Sequence, residues 1–439
     1  MNNRKIIVAN YRYFIAGGPE RYMFNFMRKA KNLGITCIPF SVNYEQSVKT
    51  EYSKYFVTPR GGKNVLNFSE IKLTPKSVVG LLQSSIYNFE AERKLRQLIR
   101  AEKPDAVYIL HEINSLSPSI IRAAKKEGVR VVHRISDFFM MCPRLDLLCG
   151  TTVCESCIHG NYRKAIKNRC VKGSLPATLV RVFAMILYKN MRIFDDVDEY
   201  VTTCEFTKSK MIEAGIDANK ITCIPTFTDV ETVKPCYKNS GYILFLGRFH
   251  PQKGAVYAVE AMKYLKDLPI KLKITGSADN SHEFKEISEI IVNNDLSEKV
   301  EFIGFKSGKE LSNTIDESIC VVNPAVWYEN FPNTVIEAYA HGKPVIASDI
   351  GSFKEMVENG KTGFRFQPKD SKELAYAIRA MYNDPVLVEN MGRYARKVVE
   401  EKYCFDAHWE KLETVLAGHN NSTKQTERGK LCTNENYYR

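Results

Sequence analysis

The sequence lacks long hydrophobic runs: its 439 residues contain no stretch of 18 or more apolar residues. A helix that crosses a bilayer needs about 20 such residues, so no membrane-spanning helix is predicted. Residues 1–9 hold one short apolar run and no small-residue cleavage site, which favours a cytoplasmic protein over a secreted one. The phosphate-binding patterns GxxxxGKS and GxxxxGKT are also missing, which disfavours ATPase chemistry.

Acidic residues are fewer than basic ones, 50 against 63, and the net charge is +13. Such an excess attracts anions, including nucleotide phosphates, nucleic acids and acidic membrane faces, without choosing among them. Hydrophobic residues make up 44% and charged residues 26%, as in globular proteins. A chain of this length and composition is expected to form two domains.

Short apolar strands alternate with amphipathic helical patterns, which predicts an α/β fold with parallel sheets. Residues 1–228 form the first predicted domain and residues 241–395 the second, joined by the polar stretch 229–240. A helix over 396–417 is expected to pack back toward the first domain, and the aperiodic residues 418–439 are expected to form a disordered tail. The predicted strands are 5–9, 36–42, 105–110, 130–134, 199–203, 242–246, 271–275, 299–303, 320–323 and 344–347.

The most informative segment reads YENFPNTVIEA over residues 328–338. Pro332 and Asn333 favour a helix start after a strand, and the free N–H groups of a first helical turn bind phosphate oxygens, helped by the helix dipole. Glu329, before the helix, can accept hydrogen bonds from sugar hydroxyls, and Glu337, one turn into it, from a ribose. An ordinary capped helix with two surface acids would show the same residues, so this segment alone does not decide.

A second segment reads GRFHPQKG over residues 247–254, directly after an apolar strand. Gly247 and Gly254 allow the backbone a tight path, and Arg248 and Lys253 can converge on one site. A leaving diphosphate gains negative charge as its glycosidic bond breaks, and two fixed cations stabilise that charge most in the transition state. A basic loop without a ligand is the competing interpretation.

The two segments together resemble the glycosyltransferases of family 4, whose GT-B fold has two Rossmann-like domains facing a central cleft. The resemblance extends to about residue 415 and includes GGPERYMFNF after the first strand and the later VENGKTGFRFQPKD. It implies a retaining transferase, hexosyltransferase-like, that moves a sugar from a nucleotide-diphosphate donor to a glycan or lipid-linked glycan acceptor in surface polysaccharide biosynthesis. It implies no cofactor for catalysis.

The same resemblance assigns roles to residues. Arg248 and Lys253 would bind the donor diphosphate and Glu329 the donor sugar, which makes these three the expected catalytic residues. Glu337 would contact the ribose. The other donor-binding residues implied are Gly17, Gly18, Asn330, Phe331, Pro332, Asn333 and Thr334.

One position departs from the family pattern. Many relatives carry a His-Asp pair after the fourth strand of the first domain, where this chain has Ser136 and Asp137. That histidine meets the donor sugar or the acceptor near the anomeric carbon. His111 and His133 are expected to fill the gap, so the acceptor-side candidates are His111, His133, Ser136 and Asp137.

Five of the twelve cysteines lie within residues 142–170, a stretch that interrupts the strand–helix rhythm and is predicted to be an inserted loop. Some members of the resembled family carry a similar Cys-Pro followed by cysteines, and this resemblance implies that the loop borders the acceptor site. In a reducing compartment such a cluster suggests a metal rather than disulfides. Cys149, Cys154, Cys157 and Cys170 could supply four thiolates to a structural zinc ion. A set of free thiols is the alternative, because the spacing is irregular.

Residues 174–194 are apolar and basic, and predict a helix that either lies on an anionic membrane face or packs in the core. The first possibility would suit a lipid-linked acceptor and a peripheral position at the inner membrane face.

Other functions stay open at this point. A nucleotide-sugar epimerase would share the fold, and a non-catalytic sugar-nucleotide sensor would explain Ser136. A zinc- or nucleic-acid-binding protein would explain the charge and the cysteines, but no nucleic-acid-binding motif supports it, so no nucleic-acid partner is expected.

Overall fold

The computed structural model describes residues 4–59, 86–113, 115–276 and 282–418. Two six-stranded parallel sheets organise these residues, and a short antiparallel hairpin interrupts the chain between the fourth and fifth strands of the first sheet. Within these ranges, no helix is long and apolar enough to cross a membrane. The tail predicted beyond Gly418 lies outside the described residues.

The first sheet and its helices come from the N-terminal half of the chain. Their bounds are β1 Lys5–Asn10, α1 Gly18–Asn32, β2 Thr36–Phe40, α2 Phe89–Glu102, β3 Ala106–His111, α3 Ser119–Lys126, β4 Arg130–Ile135, β5 Leu148–Cys149, β6 Thr152–Val153, α4 Arg163–Lys167, α5 Leu175–Asn190, β7 Glu199–Thr202, α6 Glu205–Glu213 and β8 Ile221–Cys223.

The second sheet and its helices follow after the irregular stretch 229–240. Their bounds are β9 Tyr242–Leu246, α7 Ala255–Ala261, β10 Lys271–Thr275, α8 His282–Asn293, β11 Val300–Gly304, α9 Gly308–Asp316, β12 Ser318–Asn323, α10 Asn333–Ala340, β13 Val345–Ser348, α11 Phe353–Met356, β14 Gly363–Phe366, α12 Ser371–Asn383, α13 Pro385–Lys402 and α14 Phe405–Ala417.

The sequence pattern explains the helix that follows the first strand. Pro19 occupies its first turn, where the missing N–H costs nothing, and Gly34, with φ +78°, terminates it in the left-handed region. Tyr22, Met23 and Phe26 recur at helical spacing and are all buried. Helix α1 therefore covers one face of the first sheet and points its N-terminus at the end of β1.

Each sheet has a point where the strand order reverses. The first sheet runs β2-β1-β3-β4-β7-β8 and the second β11-β10-β9-β12-β13-β14. The reversals fall between β1 and β3 and between β9 and β12. In open parallel sheets, ligands bind outside the carboxyl ends of the strands at such points, because the flanking loops diverge there.

The α/β class and the ten predicted strands are present, with ends shifted by one or two residues. Strands β8 and β14 were not predicted. Residues 142–170, predicted as a loop, contain the β5–β6 hairpin and helix α4.

The last helix crosses back to the first sheet. Phe405 and Leu412 of α14 are buried in the same core as Ile6 and Val8 of β1. His408 Nδ1 donates to the carbonyl of Pro225 at 2.7 Å, and its Nε2 accepts from the Tyr22 hydroxyl at 2.9 Å. Burial lowers the pKa of His408 to about 3, so this imidazole stays neutral in the folded protein.

This buried histidine predicts a loss of stability in mild acid. The unfolded chain takes up the proton near pH 6.5 and the folded protein only near 3, so stability is complete above pH 6.5 and falls as the pH decreases. The expected loss is about 1.4 kcal/mol for each pH unit below 6.5. Urea unfolding at pH 7 and pH 5 should show a smaller difference for His408→Gln than for the wild type. Equal pH dependence in both proteins would contradict the assignment.

Candidate functional site

Two loops meet at the switch point of the second sheet. The loop 247–254 follows β9, and the loop 324–332 follows β12. The Val326 N–H donates to the carbonyl of Gln252 at 3.0 Å. Gly254 has φ +69°, and a Cβ at this position would lie 2.0 Å from the Pro324 carbonyl oxygen. A side chain at residue 254 would therefore push the two loops apart, which explains why this position is a glycine.

An ion pair joins these loops. Lys253 Nζ lies 2.5 Å from Glu329 Oε1, and the Trp327 indole N–H donates to the same oxygen at 2.8 Å. The Ser352 hydroxyl donates to the Glu329 carbonyl at 2.7 Å and fixes the backbone. Glu329 is buried, whereas Lys253 is partly accessible. The two residues predicted to bind the donor diphosphate and the donor sugar are thus in direct contact.

The N-terminus of α10 opens at the same place. Asn333 and Thr334 begin the helix after Pro332, and the N–H groups of a first helical turn have no acceptor within their own helix. The Thr334 hydroxyl donates to Asn323 Oδ1 at 2.9 Å, and the buried Asn323 Nδ2 has no hydrogen-bond partner among the described residues. Asn323 is the last residue of β12. The sequence analysis did not name it as a site residue, although a polar residue at the end of a buried strand indicates a ligand-binding position.

The first domain supplies the opposite wall of the cleft. A Cβ on Gly18, the first residue of α1, would lie 3.1 Å from Asn333 Nδ2, so the tips of α1 and α10 approach closely. Gly17 precedes that tip in extended backbone. Arg21 Nη1 lies 3.4 Å from Glu337 Oε1, which places the predicted ribose ligand beside a cation that sequence reasoning did not identify. Burial raises the pKa of Glu337, and Arg21 opposes that rise.

Further contacts hold the domains together beside this wall. The Asn330 carbonyl accepts from the Thr203 hydroxyl at 3.3 Å, and the Asn330 side chain accepts from Thr207. Glu355 accepts from the N–H groups of Glu205 at 2.9 Å and Phe206 at 3.0 Å, which caps α6 from the other domain. Asn330 therefore serves the domain contact as well as the predicted pocket.

Two of the predicted donor residues, Phe331 and Arg248, lie outside the contact between Lys253 and Glu329. The Phe331 ring is partly buried and packs against Tyr403 at 5.6 Å, so at least part of its side chain contacts the second core. Arg248 is exposed and lies near His250, whose pKa is lowered by burial and by Arg248. It shares the loop of Lys253 but not the contact with Glu329.

The acceptor-side candidates separate into two groups. His111 ends β3, and its Nδ1 lies 3.6 Å from Asp137 Oδ2, next to the Tyr11 ring. Burial raises the pKa of Asp137, while His111 lowers it. His111 thus ends a strand at the switch point of the first sheet, with Asp137 from the loop after β4 beside it. Their acceptor-side role stays a prediction.

His133 is not placed there. It is 1% exposed, and its Nε2 lies 3.0 Å from Glu112 in the first core, because alternate residues of β4 point to opposite faces. The expectation that His133 replaces the missing histidine is therefore corrected. Ser136 accepts from Arg134 Nη1 at 2.8 Å and remains partly accessible beside Asp137.

One more cation faces this region. Arg181 of α5 is close enough to Asp137 to lower its pKa against the larger effect of burial. Its Nε and Nη2 atoms are buried and have no hydrogen-bond partner among the described residues. Sequence reasoning assigned Arg181 to a basic helix and could not place it at a cleft, because helix orientation depends on tertiary packing.

The cysteine cluster shows no preformed metal site. Within the described part of the chain, no group of three or more His, Cys, Asp or Glu residues is placed to hold a metal ion. Cys142, Cys149, Cys154, Cys157 and Cys170 are free thiols, and burial raises the pKa of Cys157 to about 12 and that of Cys170 to about 11. The four-thiolate zinc hypothesis stays a prediction.

Comparison with known families covers both domains. Residues 16–232 match the Glycosyltransferase Family 4 model, and residues 229–398 match the Glycosyl transferases group 1 model. The matches are consecutive and meet in the stretch between the two sheets.

Curated relatives match part of the chain. An uncharacterized glycosyltransferase of Methanocaldococcus jannaschii is 33% identical over 165 residues, which are 37% of this chain and 41% of that protein. The capsular polysaccharide biosynthesis glycosyltransferase CapM of Staphylococcus aureus is 28% identical over 192 residues, 43% of this chain and 48% of that protein. The chain thus spans about half the length of these relatives.

Solved structures share the fold over nearly the whole chain. A glycosyltransferase from Rickettsia africae superposes with a TM-score of 0.65 and 19% identity, covering 95% of this chain and 98% of that one. HepE of Anabaena, solved with UDP and glucose, gives a TM-score of 0.63 and 15% identity, covering 94% and 99%. The two family matches show that this chain is a glycosyltransferase of the family 4 type, and the structural similarity shows its two-domain GT-B fold.

Proposed function

We propose that this protein transfers a sugar from a nucleotide-diphosphate donor, with retention of anomeric configuration, to a glycan or lipid-linked glycan acceptor. The observation that carries the proposal is the Lys253–Glu329 pair at the tip of α10, on the switch point of the second sheet. A cation, a carboxylate and free helical N–H groups lie together there, and these groups recognise the diphosphate and hydroxyl parts of a nucleotide sugar.

Different groups of the site bind different parts of the donor. The first-turn N–H groups of α10 and Lys253 hold the diphosphate, and Arg248 adds a second cation from the same loop. Glu329 accepts hydrogen bonds from the sugar hydroxyls, and Glu337 from the ribose. The ligand of the Anabaena relative, UDP with glucose, supports a nucleotide sugar as the donor class.

The chemistry requires charge stabilisation rather than a protein nucleophile. The bond between the anomeric carbon and the diphosphate oxygen breaks while the acceptor oxygen bonds to the same face of that carbon. The acceptor proton passes to the leaving phosphate. Lys253, Arg248 and the helix dipole stabilise the diphosphate most when its charge is largest, which lowers the barrier. No metal takes part in this scheme.

The acceptor enters from the first domain, beside His111 and Asp137. The unpartnered guanidinium atoms of Arg181 face this side and suit an anionic group on the acceptor. A phosphate of a lipid-linked glycan would provide such a group. The polysaccharide role of CapM supports surface polysaccharide biosynthesis as the setting.

Helix α5 suits a peripheral position at the inner membrane face. Its buried face carries Val182 and Met185, whereas Leu175, Leu179, Phe183 and Ile186 are between 38% and 57% exposed along the other face. Residues 156–194 contain eight Lys and Arg and no Asp or Glu. An apolar stripe in a basic segment matches an anionic bilayer surface.

The site predicts a strong effect of removing either partner of the ion pair. Lys253→Ala and Glu329→Ala should each lower turnover by about tenfold or more, because each removes a group that acts on the transition state. A thermal-shift screen with UDP-, GDP- and dTDP-sugars selects the donor, since a ligand that binds the native state raises the melting temperature. Turnover is then measured with that radiolabelled donor.

Lys266→Ala, on an exposed residue of the same domain, is the matched control. Near-native rates in both site variants would contradict the assigned site. The anomeric configuration of the first product, determined by NMR, tests retention separately, and an inverted product would refute it.

The exposed face of α5 predicts membrane binding that needs both charge and apolar contact. The wild type should sediment with phosphatidylglycerol vesicles and much less with phosphatidylcholine vesicles. Phe183→Glu should reduce binding by about tenfold, because it removes an apolar ring that would insert into the bilayer and adds a charge that the anionic lipids repel. Val292→Glu, at an apolar residue 70% exposed in the other domain, should leave binding unchanged. Equal binding by all three proteins would argue against α5 as the contact.

A further inference from the structure

The loop 142–170, here called the Cys-rich loop, belongs to the first domain but reaches the second. Cys142, Leu147 and Ile158 are buried in the core of the first domain and anchor the loop there. The loop contains two acidic residues, Asp146 and Glu155. Each of them contacts a residue of the second domain, and neither contact was foreseen from the sequence.

Asp146 lies on a strained turn. The residues on both sides, Leu145 and Leu147, have φ values of 77° and 52°, a region that leucine rarely adopts. Asp146 Oδ2 accepts from Arg144 at 2.9 Å and from Gln252 Nε2 at 3.1 Å. Asp146 Oδ1 accepts from the N–H of Leu148 at 3.1 Å, so the carboxylate is fixed on both oxygens.

Glu155 makes the corresponding contact on the other side of the site. Burial and the nearby Glu155 carboxylate raise the pKa of Tyr328 to about 12. One Glu155 oxygen lies 2.7 Å from Lys210 Nζ. The Tyr328 ring packs against Phe206 at 4.6 Å, so Tyr328 contacts the first domain through its ring and lies near Glu155.

The positions of the two partners in the sequence connect these contacts to the site. Gln252 directly precedes Lys253, and Tyr328 directly precedes Glu329. We infer that the Cys-rich loop of the first domain acts as a clamp on the donor site. Asp146 and Glu155 are positioning residues: through Gln252 and Tyr328 of the second domain, they keep Lys253 and Glu329 aligned with each other for donor binding. This inference rests on the proposed function, because Lys253 and Glu329 are the donor ligands that it positions.

The clamp links domain closure to the geometry of the donor site. Both contacts cross the cleft, so they form only when the domains are as close as they are here. Misplacement by about 1 Å at a catalytic group is enough to lower a rate substantially. Loss of either contact should therefore weaken donor binding while the Lys253 and Glu329 side chains remain present.

The test exchanges the donor and acceptor of one hydrogen bond. Gln252→Glu places a carboxylate against Asp146 and should raise the donor KM by about fivefold to tenfold with a smaller change in kcat. Asp146→Asn alone should change KM less, because the Gln252 amide can turn and still form a hydrogen bond with the new amide. The double variant restores one donor and one acceptor and should return KM to within about twofold of wild type. The probes are UDP-glucose, GDP-glucose and dTDP-glucose, with release of the nucleoside diphosphate as the readout.

A second pair tests the other half of the clamp. Glu155→Ala and Tyr328→Phe should raise KM to similar extents, and the double variant should be no worse than either single variant, because both changes remove one contact. Glu289→Gln, at an exposed acid of α8, should match the wild type. Additive effects in the double variant, or absence of rescue in the Asp146/Gln252 pair, would overturn the clamp.

Hydrogen–deuterium exchange separates this inference from the proposed function. The clamp predicts faster exchange in peptides covering 247–254 and 324–332 for Gln252→Glu, and recovery in the double variant, without any donor. If the wild type releases no nucleotide from the three donors but exchange behaves as predicted, the donor assignment fails and the clamp stands. Unchanged exchange in both peptides would refute the clamp.

Discussion

The arrangement of the candidate site depends on the ion pair between Lys253 and Glu329. It joins the loops that leave β9 and β12, the two strands at which the second sheet reverses its order. Gly254 permits the loops to touch, and Trp327 and Ser352 fix the carboxylate and its backbone. The Lys253 ammonium and the Glu329 carboxylate thus neutralise each other, and the proposed donor would offer its diphosphate to the first and its sugar hydroxyls to the second.

The first domain completes this arrangement from across the cleft. The tips of α1 and α10 meet at Gly18 and Asn333, so the positive ends of two helix dipoles face one space. Arg21, beside Glu337, adds a cation on the same wall. Helix α14 returns to the first sheet and is held there by His408, which limits how far the domains can separate at that edge.

Much of this organisation was predictable because it is local. Strand and helix patterns gave ten strands, and the motif residues Lys253 and Glu329 sit where their loops predicted. The missed strand β14 is four residues long and begins at Gly363, with φ 155°, which gives a weak strand signal. His133 was misplaced because the sequence does not tell which face of a buried strand points to the cleft. The contacts of Asp146 and Glu155 are long-range and leave no local pattern.

The central claim is that a nucleotide diphosphate binds between Lys253 and the tip of α10, and a crystal structure with the nucleoside diphosphate selected by binding tests it most directly. The account predicts diphosphate oxygens within hydrogen-bond distance of Lys253 Nζ and the first-turn N–H groups of α10, with the Lys253–Glu329 contact lengthened or broken. A diphosphate bound outside the cleft, with that contact unchanged, would contradict the account.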